Sequence, residues 1–279
     1  VANQRKDWGQ SVRKYYPPVV PLFVPATRPD LIAKAARSGA DAIIVDLEDA
    51  VPGAEKSSAR LAIRTELAGH TVPVIVRVNA VDTPWFDEDL ALVRDVQVDG
   101  IMLPKTQSPE DVSKVGEDIP VIGLIETARG VASLPSICCS PNLRQLAFGS
   151  IDYALDIGCV ETRDALLLAR LSLVNHSRAF DLPPPLDGIT VSVDNEDIIR
   201  SDTKYAAQLG FSGKLAIHPK QVRIIDDALH PSEADIVWAE LICAADRKSK
   251  GAAVLLDGRI IDAPVVKKAK RILQRAHTL

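Results

Sequence analysis

Residues 42–79 read AIIVDLEDAVPGAEKSSARLAIRTELAGHTVPVIVRVN. The stretch opens on an apolar, β-branched run, Ala42–Glu48, that ends in acids. A helical stretch, Glu55–Ala68, follows and closes on Gly69, a helix-stop residue. A second β-branched run, Val74–Asn79, then begins. Runs of this length and β-branched content fit strands buried on both faces. Strand, helix and strand in this order imply a right-handed parallel crossover.

The same unit recurs on either side. Further strand-like runs are Val19–Ala26, Gly100–Lys105, Val121–Glu126, Gln145–Ser150, Leu186–Ser192 and Lys214–Pro219. Helices are predicted over Arg28–Ser38, closing on Gly39, and over Trp85–Val96. Pro109–Gly116 follows, with Ser108 as N-cap and Pro109 in the first turn. Glu161–Phe180 and Asp194–Leu209, the latter closing on Gly210, complete the set. Eight strands alternating with helices predict an α/β fold, a (β/α)8 TIM barrel over residues 19–230. An open doubly wound sheet is the alternative, but no glycine-rich phosphate fingerprint follows the first strand. Residues 1–18 form an N-terminal arm, and residues 231–279 a C-terminal extension. The extension reads as a helix from Pro231 to Arg247, a hairpin over Ala253–Ile261 turning at Asp257-Gly258, and a basic helix over Pro264–Ala276. It has too little apolar surface to stand alone and is expected to pack on the barrel or on a neighbouring subunit.

Composition agrees with this class. Of 279 residues, 47% are hydrophobic but only 4% aromatic, so the core is built of Ala, Val, Ile and Leu. The net charge of −4, with both signs mixed along the chain, gives no general attraction to nucleic acid or to an anionic membrane. No segment approaches the ~20 apolar residues of a membrane span. The four cysteines, Cys138, Cys139, Cys159 and Cys243, lack zinc spacing and read as reduced thiols. With an N-terminal stretch lacking an apolar signal core, they predict a cytoplasmic protein.

The active site of such a barrel lies at the C-terminal ends of its strands. Those ends carry Asp46, Glu48 and Asp49; Arg77 and Asn79; Lys105; Glu126; Gly149, Ser150 and Asp152; and His218. Glu126 and Asp152 come from neighbouring strands, so their carboxylates can converge. Two hard oxygen ligands, with water completing the shell, suit Mg²⁺. The competing reading is a surface salt bridge for Glu126 and a helix N-cap for Asp152. Arg77, between Val76 and Val78, needs an anionic partner. Asp46 or Glu48 would make it a structural bridge, whereas a substrate carboxylate or an enolate would make it functional. Ser150, before a short helix over Ile151–Ile157, is either an ordinary cap or part of an anion-receiving helix start. Lys105 is either a Schiff-base nucleophile or a salt-bridge partner. His218 is either a base or a rim histidine.

Seven segments carry a family resemblance: LFVPATRPDLIAKAARSGADAIIVDLEDAVPGAEK, VIVRVN, GIMLPK, GLIETARG, LAFGSIDYALDIG, GKLAIHPKQV and LLDGRIIDAPVVKKAKRIL. Spanning Pro21 to about Leu273, they make the chain resemble the citrate lyase β-subunit-like family of the HpcH/HpaI aldolase superfamily. The resemblance implies a barrel of the phosphoenolpyruvate/pyruvate type and a Mg²⁺-dependent lyase, with Mn²⁺ as the alternative cation. The implied reaction breaks a carbon–carbon bond in a 3-hydroxyacyl-CoA of the citryl-, citramalyl- or malyl-CoA type, giving acetyl-CoA and a 2-oxoacid.

By position, Glu126 and Asp152 match the family's metal ligands, and Glu126 also meets the substrate through the metal. Arg77 matches its substrate-binding arginine, and Gly149-Ser150 falls in the substrate-binding segment. Asp46, Glu48 and Asp49 would orient Arg77 and the metal's waters. Asp262 resembles an aspartate that reaches a neighbouring subunit's active site, implying a homo-oligomer, a trimer or dimer of trimers. The class II pyruvate aldolases of the superfamily carry a histidine base after the second strand. Here that segment reads Asp46-Leu47-Glu48-Asp49, which favours the acyl-CoA branch. A β-subunit role in a citrate lyase complex, on an acyl-carrier-protein thioester, is the other alternative.

Overall fold

The computed structural model describes residues 15–278, except residues 68, 97, 250–252, 257 and 258. Chain contacts divide it into two compact units, Val1–Ile225 and Asp226–Leu279. In the first, β1 (Pro21–Pro25), α1 (Ile32–Ala35), β2 (Ala42–Asp46), α2 (Lys56–Ile63) and β3 (Val74–Arg77) open the barrel. Then come α3 (Phe86–Val96), β4 (Gly100–Leu103), α4 (Pro109–Val115) and β5 (Val121–Ile125). Two short helices, α5 (Ala128–Ala132) and α6 (Leu134–Ile137), lead to β6 (Leu143–Phe148). The unit continues through α7 (Ser150–Ile157), α8 (Leu167–Ala179), β7 (Leu186–Asp187), α9 (Glu196–Leu209), β8 (Gly213–Lys214) and α10 (Pro219–Leu229), within which the second unit starts.

The eight strands are hydrogen-bonded in chain order, and each neighbouring pair is parallel. Closure brings the eighth strand back to the first. Phe23 N–H donates to Ala216 O at 2.8 Å, and Lys214 N–H to Val19 O at 2.9 Å. Gly213 permits this approach, because a Cβ there would run into the Val19 carbonyl. The predicted (β/α)8 barrel is therefore the observed fold.

Side-chain parity places the site. Ala42 and Ile44, Ile75, Ile122 and Leu124, and Ala147 belong to one buried cluster, with Met102, Leu186 and Leu215. Their neighbours of opposite parity, such as Ile43, Val45, Val76 and Ile101, are equally buried. Both faces of the sheet are thus covered, as a barrel under helices requires. Because alternate residues share a face, the inward series in each strand continues toward its C-terminal end: Asp46 after Ile44, Arg77 after Ile75, Glu126 after Leu124, and Gly149 after Ala147. The chemistry-bearing residues are continuations of the core pattern.

Most elements fall where patterning predicts, with differences at their ends. Ser108 caps α4 in a full capping box with Asp111, an arrangement worth about 1 kcal/mol. The helix predicted over Arg28–Ser38 is a 3-10 turn at Pro29–Leu31 followed by α1. The one predicted over Glu55–Ala68 is shorter too, since α2 stops at Ile63. Strands seven and eight shrink to two paired residues each. There the Gln221 side chain replaces the ladder, donating to Thr190 O and Ser192 O and accepting from Ile217 N–H at 2.8, 2.9 and 2.9 Å.

The second unit holds α11 (Glu233–Ser249), β9 (Val254–Leu256), β10 (Arg259–Ile261) and α12 (Ala263–Thr278). The two strands are antiparallel; the Asp257-Gly258 turn itself lies outside the described residues, as does most of the N-terminal arm. Ala239, Ile242, Cys243, Ile261, Val266 and Ala269 form this unit's core. All four cysteines are free thiols. Among the described residues no helix is long and apolar enough to cross a membrane.

Candidate active site

A cavity of about 570 Å³ opens at the C-terminal ends of the strands. Asp46, Asp49, Arg77, Glu126, Gly149, Ser150 and Asp152 line it, over an apolar floor that includes Leu124, Phe148, Ile189 and Leu215. Of the strand-end candidates, Glu48, Asn79, Lys105 and His218 are not among the lining residues; the His218 Nδ1 accepts Lys220 N–H at 3.2 Å.

Glu126 leaves the end of β5 and is 2% exposed. Its Oε1 accepts the Lys105 N–H at 2.8 Å. On its other side lies Gly149, where a Cβ would clash with Oε2 and sit 2.5 Å from the Glu126 Cβ. Burial, then the charge of Glu48, raise the Glu126 carboxyl to about 8 against the opposing pull of Lys105, and Asp152 adds to the rise. Asp152 stands in the first turn of α7. A surface salt bridge for Glu126 and an N-cap for Asp152 are both ruled out, since Glu126 is buried and Gly149 holds the N-cap position.

Arg77 is already well supplied with anions. Its Nε and Nη2 form a fork on Asp46 at 2.7 Å each, and Nη1 lies 3.0 Å from Glu48 and 3.5 Å from Asp49. Its guanidinium also rests on the Phe23 ring, 4.9 Å from the centroid. Burial works against its charge, yet the Asp46 hydrogen bonds and the three carboxylates hold it above the ordinary arginine value. The bridging role is therefore built, and the cavity receives what remains of the positive field.

Lys105 Nζ lies 2.6 Å from Glu48 Oε1 and 3.9 Å from Glu126. Burial opposes its charge, but Glu48, with Glu126 and Asp49, outweighs that and raises its pKa. An ammonium held in this way is a salt-bridge partner and a poor nucleophile. Ser150 makes no side-chain cap; its hydroxyl donates to Glu161 at 2.7 Å. Glu161, eleven residues on in a loop, has no sequence signal that would have paired it with Ser150. Asp262, in the second unit, is exposed and caps α12, accepting Val265 N–H at 3.2 Å.

Four carboxylates and one guanidinium line the cavity. A cation would fit this surplus, and Glu126 and Asp152 are two of the carboxylates that line the cavity where it would sit. Among the described residues there is no group of three or more His, Cys, Asp and Glu that could hold a metal. Two protein oxygens with open positions suit Mg²⁺, which keeps several waters, better than a closed structural site.

A parallel barrel with paired acids at its C-terminal mouth defines a class of metal-assisted barrel enzymes. Within it, the chain belongs to the HpcH/HpaI aldolase/citrate lyase family, whose model matches residues 20–219. It is 32% identical over 272 residues to the citrate lyase subunit beta-like protein of Deinococcus radiodurans, covering 90% of this chain and 95% of that one. It is 33% identical to the (3S)-malyl-CoA thioesterase of Cereibacter sphaeroides, covering 92% and 94%. The crystal structure of CitE from Mycobacterium tuberculosis in complex with magnesium, acetoacetate and coenzyme A is similar at a TM-score of 0.86 and 30% identity, covering 93% and 98%.

Proposed function

We propose that this chain is a Mg²⁺-dependent carbon–carbon lyase that cleaves a 3-hydroxyacyl-CoA of the citryl-, citramalyl- or malyl-CoA type into acetyl-CoA and a 2-oxoacid. The observation that carries the reading is the buried Glu126 carboxylate, raised toward neutrality by burial and by neighbouring acids, in a cavity with Asp152. The magnesium complex of the M. tuberculosis relative supports the choice of cation. Mn²⁺ is the substitute to test.

Glu126 and Asp152 hold the cation, which when bound supplies Lewis-acid polarisation of the oxoacid oxygens. The start of α7 receives the substrate carboxylate on the backbone N–H groups that follow Gly149, beginning with Ser150, since the Gly149 N–H itself is held by Ile125 O at 3.0 Å. As a general base takes the substrate hydroxyl proton, the carbinol oxygen becomes the oxoacid carbonyl, the bond to the thioester α-carbon breaks, and its electron pair leaves as negative charge on the thioester enolate. Arg77, oriented by Asp46, Glu48 and Asp49, stabilises that charge. Asp262 of a neighbouring protomer donates the proton that turns the enolate into acetyl-CoA, so activity depends on a homo-oligomer, trimeric in this reading.

The test is a panel of 3-hydroxyacyl-CoA esters with Mg²⁺, scored by acetyl-CoA release. Glu126→Gln combined with Asp152→Asn should abolish cleavage and leave the circular dichroism spectrum unchanged; full activity in that variant overturns the assignment. A second reading, thioester hydrolysis, is favoured by the similarity to (3S)-malyl-CoA thioesterase. Its products are free CoA and the hydroxyacid, so product analysis separates the two.

A further inference from the structure

We propose that Lys105 is a positioning residue whose left-handed backbone, rather than its ammonium, holds Glu126 in the geometry that a cation ligand needs. The inference rests on the lyase reading above. Among the described residues only Lys105 (φ 48°) and Asp181 (φ 56°) combine a side chain with positive φ. Asp181 sits in an exposed turn after α8. Lys105 sits beside Glu126, two residues past the end of β4.

L-residues avoid this conformation because the Cβ crowds the following carbonyl. It persists only where the surroundings over-determine it, and such positions cluster at functional sites. Here the surroundings are visible. Lys105 N–H donates to Glu126 Oε1 at 2.8 Å. The next residue is anchored twice: Thr106 N–H donates to Leu124 O at 3.2 Å, and its hydroxyl to Leu103 O at 2.8 Å. The Thr106 carbonyl is in turn pressed against Gly130, where a Cβ would lie 2.7 Å from it. If residue 105 relaxed to negative φ, its own N–H would rotate relative to the chain leading to Thr106. The anchors on Glu126 and Leu124 could not both be kept.

The kink therefore fixes one carboxylate oxygen of Glu126 from the β4 side, while Gly149 confines the other oxygen from the β6 side. Glu126 is held between two backbones before any ligand arrives. Preorganisation of this kind is what a metal-binding carboxylate requires, since second-shell hydrogen bonds orient the ligand and tune its affinity.

The discriminating experiment compares variants that all remove the ammonium. Lys105→Gly and Lys105→Asn adopt the left-handed conformation readily, Lys105→Ala carries the same Cβ penalty as lysine itself, and β-branched Lys105→Val resists it. Mn²⁺ affinity of the full chain is read by electron paramagnetic resonance of free Mn²⁺, which does not depend on turnover. The Gly and Asn variants should bind Mn²⁺ nearly as tightly as wild type. The Val variant should bind roughly tenfold more weakly, in keeping with the penalty on a β-branched residue in this region, while Ala should match wild type. If Val does not fold, Lys105→Thr, also β-branched, carries the same test. Equal affinity across all four variants, whether high or low, overturns the proposal and leaves the lyase reading standing. Failure of the wild type to bind Mn²⁺ overturns both.

Discussion

Gly149→Ala tests how tightly the candidate ligand is confined. A methyl group at position 149 would lie 2.5 Å from the Glu126 Cβ and clash with its Oε2. Ordinary carbon–carbon contact is at ~3.5 Å, so the two strands or the glutamate must give by about 1 Å. The glutamate cannot swing clear, because its Cβ is fixed directly to the β5 backbone. Its carboxylate is also tied to Lys105 N–H. Overpacking of this kind costs about 1–3 kcal/mol, and each kcal/mol lowers Tm by roughly 2–4 °C for a chain of this order of size. A displacement of about 1 Å at a catalytic group costs on the order of 10²-fold in rate. Gly149→Ala should therefore melt several degrees lower and lose about two orders of magnitude in kcat/KM. Differential scanning calorimetry and acetyl-CoA release measure the two effects. A variant with wild-type kcat/KM would refute the claim that Glu126 is held against Gly149 for chemistry. One with wild-type Tm would refute the packing argument beneath it.

Three further outcomes follow from the same geometry. The Glu126 carboxyl, raised to about 8 chiefly by burial, has a folded pKa above the ordinary carboxylate value, so its contribution to stability is full at acid pH and lost as pH rises through about 8. In chelator, urea unfolding from about pH 5 to pH 9 should show wild type losing stability relative to Glu126→Gln; a relative gain contradicts the burial assignment. Asp187 is buried between Arg170 at 2.9 Å and Lys214 at 3.3 Å. Asp187→Asn strands two buried cations and should cost about 3–5 kcal/mol in urea unfolding; a loss under about 1 kcal/mol would show that the pairing matters little. Asp262→Asn preserves the α12 cap, so Tm and CoA-ester binding should hold while turnover falls by about 10²-fold. Wild-type turnover would leave Asp262 as a helix cap alone.

Local patterning was enough for the barrel. Each β-branched run lies within reach of its neighbour through a helical connection, and chirality leaves only a right-handed crossover, so eight repeats imply closure. The acids at the strand ends were legible for the same reason: inward parity carries Ile44 to Asp46 and Leu124 to Glu126. Strands seven and eight were overestimated because their residues are strand-like while their backbone partners come from the Gln221 side chain. The helices α5 and α6 between β5 and β6 went unseen; they are only five and four residues long, and too short to show a helical period.

Sequence by itself determined the fold class, the family and the acids at the mouth of the barrel, since those depend on residue type and on periods of a few residues. Only the tertiary structure decided what each acid does to its neighbours. Of the readings the sequence left open, it made Arg77 a three-acid bridge and Lys105 an ion-pair partner. It also buried Glu126 between the Lys105 and Gly149 backbones. Charge, burial and backbone strain depend on groups brought together from strands far apart in the chain, and the spacing of one strand's residues carries no record of them.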